Sequence, residues 1–269
     1  MSLDKLSRTA LTPFWARVQD ARSASPILGD AEATALAEPV AARFGVIDVD
    51  PSTMVGCCLR NLVIDRWLRH LASQHRDGLA AIVDIGVGLN TRLQRNPSLT
   101  RRYLELDTEP VLAFRDAWLP SEGTDRIVAD GMRTETWVTK VDVHGPIAVV
   151  LEGVLTYQEP AAVQRFFAEL AEAFPGAYVM FDSVSPLAAR LANRSGPRAQ
   201  GRPRYRWAIR HTKRISVSGG HLQIMDERGL LDVARSAALF SRMDRLMYTL
   251  PPMRRAYRLT FAQLPGKDG

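Results

Sequence analysis

The amino-acid sequence predicts an α/β fold built on a doubly wound, mostly parallel sheet, and three observations carry that expectation. From residue 81 onward, short apolar runs alternate with helix-length segments, the pattern of strands joined by right-handed helical crossovers. The run Ala81-Ile82-Val83-Asp84-Ile85 passes directly into a glycine turn, Gly86-Val87-Gly88-Leu89-Asn90. About twenty residues on, the next apolar run ends in Asp107, which completes the layout of a nucleotide-type cofactor site at the edge of a parallel sheet.

The elements follow in order. Residues 5–20 place Leu6, Leu11, Phe14, Trp15 and Val18 at roughly helical spacing, and residues 31–44 and 57–72 also read as helices. The expected strands are Ala81–Ile85, Tyr103–Leu106, Arg126–Ala129, Ile147–Leu151 and Ala177–Phe181, with helices near 91–96, 109–118 and 160–174. Pro175-Gly176 stops the last helix ahead of its strand. Residues 190–214 hold eight arginines with Lys213 and His211 and no Asp or Glu. Gly196-Pro197 and Gly201-Arg202-Pro203 interrupt regular structure there, so the segment reads as an inserted lid. Beyond it, Glu227–Leu239 is expected to be helical, and Leu246–Leu250 with Tyr257–Leu264 to close the sheet as an antiparallel pair. The expected organisation is one domain of four parts: a helical cap (1–78), a cofactor-binding core (79–189), a basic lid insertion (190–222) and a C-terminal helix with strands (223–269).

Composition narrows the class. A chain of 269 residues that is 46% hydrophobic can bury a full core. The two cysteines, Cys57 and Cys58, are adjacent, so no disulfide framework is implied and a reducing cytoplasm is expected. No apolar run approaches the roughly 18–20 residues that span a bilayer, and the early Asp4 and Lys5 argue against a signal peptide. The net charge of +6 invites a nucleic-acid reading, and Arg204-Tyr205-Arg206-Trp207 interleaves charge with aromatics as single-strand binders do. No recognisable RNA-binding module accompanies it, so neither nucleic acid nor a membrane is expected as a partner.

Ligands of open α/β sheets collect beyond the carboxyl ends of the strands, which singles out Asp84 to Asn90, Asp107, Asp130 and Glu152. Gly86 and Gly88 let backbone turn sharply and approach a ligand closely. The third glycine of a dinucleotide binder is absent after Leu89-Asn90, which favours a cofactor without a pyrophosphate, such as S-adenosylmethionine. Asp107 can accept two hydrogen bonds from a ribose diol, although its place before Thr108-Glu109-Pro110 also suits a helix N-cap. Asp130-Gly131 also fits a plain turn. Glu152 follows five apolar residues and should lie deep in the sheet, where a carboxylate needs a cationic or hydrogen-bonding partner. A cofactor sulfonium or amino group would serve, and so would Arg60 or Arg92. Either arginine could grip a carboxylate with paired hydrogen bonds or sit exposed on a helix.

Several motifs together resemble the leucine carboxyl methyltransferase and polyketide O-methyltransferase group. Arg60-Asn61-Leu62-Val63-Ile64-Asp65 resembles its Arg-x-x-x-x-Asp signature. Gly86-Val87-Gly88-Leu89-Asn90-Thr91-Arg92 is similar to its loop, usually Gly-x-Gly-Leu-Asp-Thr-Arg, with Asn90 in place of the acid. Tyr103-Leu104-Glu105-Leu106-Asp107 resembles the strand whose acid holds the ribose, and Glu152-Gly153-Val154-Leu155-Thr156-Tyr157 its most diagnostic element, Glu-Gly-Val-Leu-x-Tyr. Phe174-Pro175-Gly176 and Phe181-Asp182-Ser183-Val184-Ser185-Pro186 also fit, and the resemblance covers roughly residues 10–190. It implies a Rossmann-like, seven-stranded class I methyltransferase sheet with S-adenosylmethionine as cofactor and no metal. Arg60 would clamp the methionyl carboxylate and Asp107 the ribose. Asp130 with Gly131 or Met132 would lie near the adenine, Glu152 would face the amino or sulfonium end, and Tyr157 would sit near the reacting centre. Asp84, Asn90 and Arg92 would complete the cofactor-binding set, and Asn90, being neutral, cannot balance charge as an acid would.

Methyl transfer from a sulfonium is an in-line displacement, and an anionic oxygen needs no strong base. A phenol or alcohol would need one. His144 reads as a loop residue and His211 and His221 lie near the lid, which favours a carboxylate. The expected activity is O-methylation of a carboxylate or hydroxyl on a small acidic metabolite, free or bound to a carrier protein, in bacterial secondary metabolism, by a monomer or homodimer. Two other readings stay open. One is S-adenosylmethionine chemistry that releases methylthioadenosine, by intramolecular displacement or other alkyl transfer. The other is a non-catalytic module that docks an anionic partner on its basic segment.

Overall fold

The computed structural model describes residues 8–119, 124–195, 204–217, 220–230 and 255–266. Four helices precede the sheet: α1 (Arg8–Ala21), α2 (Ala31–Ala35), α3 (Ala37–Phe44) and α4 (Pro51–Ser73). Asp50 caps α4 by accepting from the Thr53 N–H, and Pro51 occupies the first turn, where a missing N–H costs nothing. The chain then runs through β1 (Ala81–Ile85), α5 (Arg92–Arg95), β2 (Tyr103–Asp107), α6 (Glu109–Trp118), β3 (Thr124–Val128), β4 (Ile147–Leu151), α7 (Pro160–Ala173), β5 (Tyr178–Val184) and α8 (Pro186–Ser195). The short strands β6 (Ser216–Val217) and β7 (Gly220–His221) form a ribbon of their own, and β8 (Gln223–Gly229) and β9 (Tyr257–Gln263) complete the main sheet.

The seven strands lie in the order β3-β2-β1-β4-β5-β9-β8. β1 to β5 are parallel, and β9 runs antiparallel to both of its neighbours. Strand order reverses between β1 and β4, where Asp84 lies opposite Val150. A crevice therefore opens beyond Ile85 and Leu151, where open α/β sheets bind their ligands.

Both faces of β1 and β4 are covered, which is why these strands read as unbroken apolar runs. Val83, Ile85, Val149 and Leu151 pack with Phe166, Phe167 and Leu170 of α7. The alternate residues Ile82, Ala148 and Val150 pack with Trp67, Leu68 and Leu71 of α4. Asp84 and Tyr103 thus share the face that meets α4, and there the apolar core gives way to charge.

The sheet departs from expectation at its C-terminal end. Glu227 does not open a helix: Glu227, Arg228 and Gly229 pair with Thr260, Leu259 and Arg258 of β9. The ladder overrides the local pattern, as tertiary pairing commonly does. The rest of that expected helix, 231–239, and the expected strand Leu246–Leu250 lie outside the described residues. β9 takes β5 and β8 as partners instead. The expected lid is also not all insertion. Arg190 and Arg194 belong to α8, and residues 216–221 include the β6–β7 ribbon.

Candidate active site

The glycine loop leaves β1 with Gly86 at φ +67° and Gly88 at φ +53°, backbone that side-chain-bearing residues rarely adopt. At Gly86 a Cβ would also stand 2.6 Å from Val154 Cγ2. The loop is gripped from behind by two buried arginines. Arg115 Nη1 donates to the carbonyls of Gly88 (3.1 Å) and Asn90 (2.7 Å), and Arg17 Nη2 donates to that of Leu89 (2.5 Å). Arg115 is itself held by Glu105, and Arg17 by Asp30. The loop amide of Gly88 donates to Asp107 Oδ2 at 2.8 Å, and Thr108 N–H donates to Oδ1 at 2.7 Å. Asp107 is therefore not the N-cap of α6; Thr108 holds that position. Burial raises the Asp107 carboxyl above its ordinary range, and the two backbone N–H bonds oppose the rise.

Beside the loop runs a continuous web of buried charge. Arg92, fully buried, spends its three nitrogens on Asp65 (3.0 Å), Asp84 (2.6 Å) and Glu152 (2.5 Å). Tyr103 donates its hydroxyl to Asp84 at 2.6 Å. Arg95 donates to Asp65, Asp30, Asn61 and Asn90. Glu152 collects Arg60 Nε at 2.7 Å, Asn61 at 2.9 Å and Asn90 at 3.3 Å besides Arg92. Burial alone would raise the Glu152 carboxyl, but the Arg60 and Arg92 guanidiniums outweigh it and hold the pKa at about 2. Asn90 fits here for a reason of charge. Its amide N–H donates to Glu152 while its oxygen accepts from Arg95; a carboxylate in its place would face Glu152 across that contact.

Arg60 links the web to the far strands. Its Nη1 donates to the Tyr257 hydroxyl at 2.9 Å, and that hydroxyl donates to Asp182. Asp182 also accepts from Gly153 N–H at 2.5 Å. Tyr157 lies on the turn after β4 with its ring stacked on Tyr205, centroids 5.6 Å apart and planes 10° apart. Burial raises the Tyr157 phenol and the neighbouring Tyr205 adds to the rise. The basic segment is fastened at this point. Arg206 and Trp207 N–H groups donate to the Thr156 carbonyl, and the Asn193 amide bonds both the N–H and the carbonyl of Tyr205.

Of the residues singled out in the sequence, Arg60, Asn90, Arg92 and Glu152 come together directly, with Asp84 joined through Arg92. Gly86, Gly88 and Asp107 form the adjoining wall. Asp130 is exposed at the end of β3 and accepts from Met132 N–H at 3.0 Å, the turn geometry its sequence allowed. Asp84 turns its carboxylate inward to Arg92 and Tyr103, away from the crevice. Sequence reasoning missed Arg17, Asp30, Arg95, Arg115 and Tyr257, and it quoted Asn61, Asp65, Glu105 and Asp182 in motifs without giving them a role. The available signal was a lone charge inside an apolar segment, as at Asp65, Glu105 and Asp182.

Comparison with known proteins gives the family and the fold. The leucine carboxyl methyltransferase family profile matches residues 10–171. The tetracenomycin polyketide synthesis O-methyltransferase TcmP of Streptomyces glaucescens is 25% identical over 261 residues, covering 96% of each chain. An S-adenosylmethionine-dependent methyltransferase of Mycobacterium tuberculosis is 29% identical over 181 residues, 61% of this chain and 55% of that one. Among solved structures, a DUF574 family protein from Streptomyces avermitilis superposes with a TM-score of 0.56 at 16% identity, covering 93% of this chain and 97% of that one. A methyltransferase from Mesorhizobium loti gives 0.50 at 19% identity over 74% of this chain and 96% of that one. The chain belongs to the leucine carboxyl methyltransferase family of S-adenosylmethionine-dependent methyltransferases.

Proposed function

We propose that this enzyme methylates a carboxylate oxygen of a small acidic metabolite, free or carried on a carrier protein, in bacterial secondary metabolism. The observation that carries the reading is that the two groups assigned to the reacting end, Glu152 and Tyr157, are poor bases and no histidine stands beside them. Glu152 is held at about 2 by two guanidiniums, and burial keeps the Tyr157 phenol protonated. No hydrogen bond joins any of the five histidines to this cluster among the described residues; His144, His211 and His221 are exposed. An acceptor that is already anionic near neutral pH needs no base. The TcmP relative, a polyketide O-methyltransferase, supports the same choice.

The residues present suit the cofactor. Counted as ionised, five carboxylates (Asp30, Asp65, Asp84, Glu152, Asp182) face four guanidiniums (Arg17, Arg60, Arg92, Arg95) across the web. A ligand of net positive charge restores the balance. When bound, S-adenosylmethionine supplies an electrophilic methyl group on a cationic sulfur. In our reading Arg60 binds its carboxylate, Glu152 faces its cationic end, and the free lone pairs of Asp107 take the ribose hydroxyls. The turn Asp130-Gly131-Met132 borders the adenine, and Gly86 and Gly88 let the loop lie close. Asp84 and Arg92 act from behind as the scaffold of Glu152. Tyr157, kept protonated, donates to the acceptor and excludes water rather than taking a proton.

The whole chain is read as one working unit, in which the helices of residues 8–78 cover and brace the cofactor core and the basic segment faces the acceptor. Buried, unbridged Cys57 and Cys58 support a reducing, cytoplasmic setting. No helix among the described residues is long and apolar enough to cross a membrane.

The test is incubation with S-adenosylmethionine and a panel of acidic metabolites, with products read by mass. The reading expects S-adenosylhomocysteine together with an acceptor heavier by one methylene, and that product should be cleaved by mild alkali as an ester is. An alkali-stable product would move the acceptor to a hydroxyl. Methylthioadenosine in place of S-adenosylhomocysteine would overturn methyl transfer.

A further inference from the structure

Arg60 is held on two sides by elements far apart in the chain. Its Nε meets Glu152 beyond β4, and its Nη1 meets the hydroxyl of Tyr257, the first residue of β9. Two of its five N–H groups are thereby used, and Nη2 has no hydrogen-bond partner among the described residues. Nη2 lies beside Gly153, where even a Cβ would stand 3.7 Å away. The edge formed by Nη1 and Nη2 therefore keeps three donors, in the fork that matches a carboxylate.

Tyr257 cannot turn freely to release this edge. Its hydroxyl proton goes to Asp182, a fully buried residue of β5, and that carboxylate also accepts the Gly153 N–H. The Tyr257 oxygen is left with its lone pairs toward Arg60. The β5–β9 register, with Val184 opposite Tyr257 and Asp182 opposite Leu259, fixes both side chains against each other. Without the phenol, Arg60 would keep only its Nε contact to Glu152 and could swing about it.

We propose that Tyr257, fixed by Asp182, is a positioning residue that aims the open edge of Arg60 at the carboxylate of the cofactor's amino-acid tail. This rests on the role proposed above for Arg60. It makes cofactor binding depend on a strand near the C-terminal end, outside the part of the chain that matches the family profile.

Two probes separate the effect from general damage. S-adenosylhomocysteine carries the amino-acid tail, and 5′-methylthioadenosine carries the same nucleoside without it. Calorimetric titration of Tyr257→Phe should show S-adenosylhomocysteine weakened about fivefold to tenfold, the worth of one ordinary hydrogen bond, because the lost bond reaches the cofactor only through Arg60. Methylthioadenosine should bind as it does to the unaltered enzyme. Asp182→Asn, which keeps the shape but weakens the acceptor of the Tyr257 proton, should give a smaller loss of the same selectivity. Equal weakening of both probes would show that Tyr257 merely supports the fold, and unchanged binding of both would overturn the proposal as well. Arg60→Ala is the control for the underlying reading. If it leaves S-adenosylhomocysteine binding intact, the assignment of Arg60 fails; if it weakens that binding while Tyr257→Phe does not, the positioning role alone fails.

Discussion

The glycine loop and the basic segment 204–217 both meet the carboxyl edge of the sheet, and they are fixed there by different means. The loop has three successive carbonyls on buried arginines and its Gly88 amide on Asp107. The outer part of the basic segment is tied by the Asn193 amide on Tyr205 and by backbone bonds from Arg206 and Trp207 to Thr156, and only further on does a buried arginine, Arg258, hold the carbonyls of Ile209 and Arg210. Its guanidiniums are spent differently too. Arg206 pairs with Glu159 where both side chains are more than half exposed, and such pairs are worth about 0–1 kcal/mol. On the proposed reading, the cofactor wall is preorganised by buried charge, whereas the rim at Tyr205 and Arg206, proposed to face the acceptor, relies on exposed charge that holds it weakly.

The largest effect should come from breaking the web at its centre. Arg92→Met leaves Asp65, Asp84 and Glu152 short of their shared cation in a buried site. Removing one partner of a buried pair costs about 3–5 kcal/mol. Denaturant unfolding should show a loss of that size together with loss of activity. A loss under about 1 kcal/mol would mean that the web is not rigid, and the contrast with the basic segment would collapse.

Acid should sharpen the same contrast. Glu152 is lowered from 4.5 to about 2, so its contribution is full above the unfolded value and disappears as pH falls through the folded one. The contribution is on the order of 3 kcal/mol. Glu152→Gln removes this titration, so its stability should fall less steeply than that of the unaltered protein as acid is added below about pH 4.5. Parallel curves would show that Glu152 titrates normally.

Next in size is the proposed ribose contact. Asp107→Ala should weaken S-adenosylhomocysteine by about tenfold to a hundredfold, the worth of hydrogen bonds to a carboxylate. Part of the loss will come through Gly88, whose amide then has no acceptor. Unchanged titration calorimetry would remove Asp107 from the site.

What the sequence made legible follows the same division. β1, β4 and α6 emerge with the expected bounds because burial on both faces, or a proline at the first turn, writes itself into local residue order. The strand-end acids were legible for the same reason. Glu152 was expected to meet Arg60 or Arg92, and it meets both; the other joints were not legible, because Arg17 and Leu89, or Arg60 and Tyr257, are joined only by tertiary folding, across 72 and 197 residues. Nor could local pattern show that Asp84 turns inward, since a carboxylate at a strand end suits a ligand or a buried guanidinium equally well. β8 was misread because Glu227 and Arg228 look helical until β9 offers a ladder.

The smallest change in stability should accompany the most selective change in function. Tyr205 stacks on Tyr157 from a segment held by backbone bonds and by the Asn193 amide, none of which needs the ring. Tyr205→Ala should therefore cost about 0.5–1.5 kcal/mol beyond its lost area, the worth of an aromatic pair. Cofactor affinity should change little, because the glycine loop and Glu152 are held directly by Arg17, Arg115, Arg60 and Arg92. If the ring helps to wall the acceptor, KM for the acceptor rises severalfold while KM for S-adenosylmethionine stays constant. A parallel rise in both constants would show the two regions to be mechanically coupled, and the division drawn between a rigid cofactor wall and a movable acceptor wall would have to be abandoned.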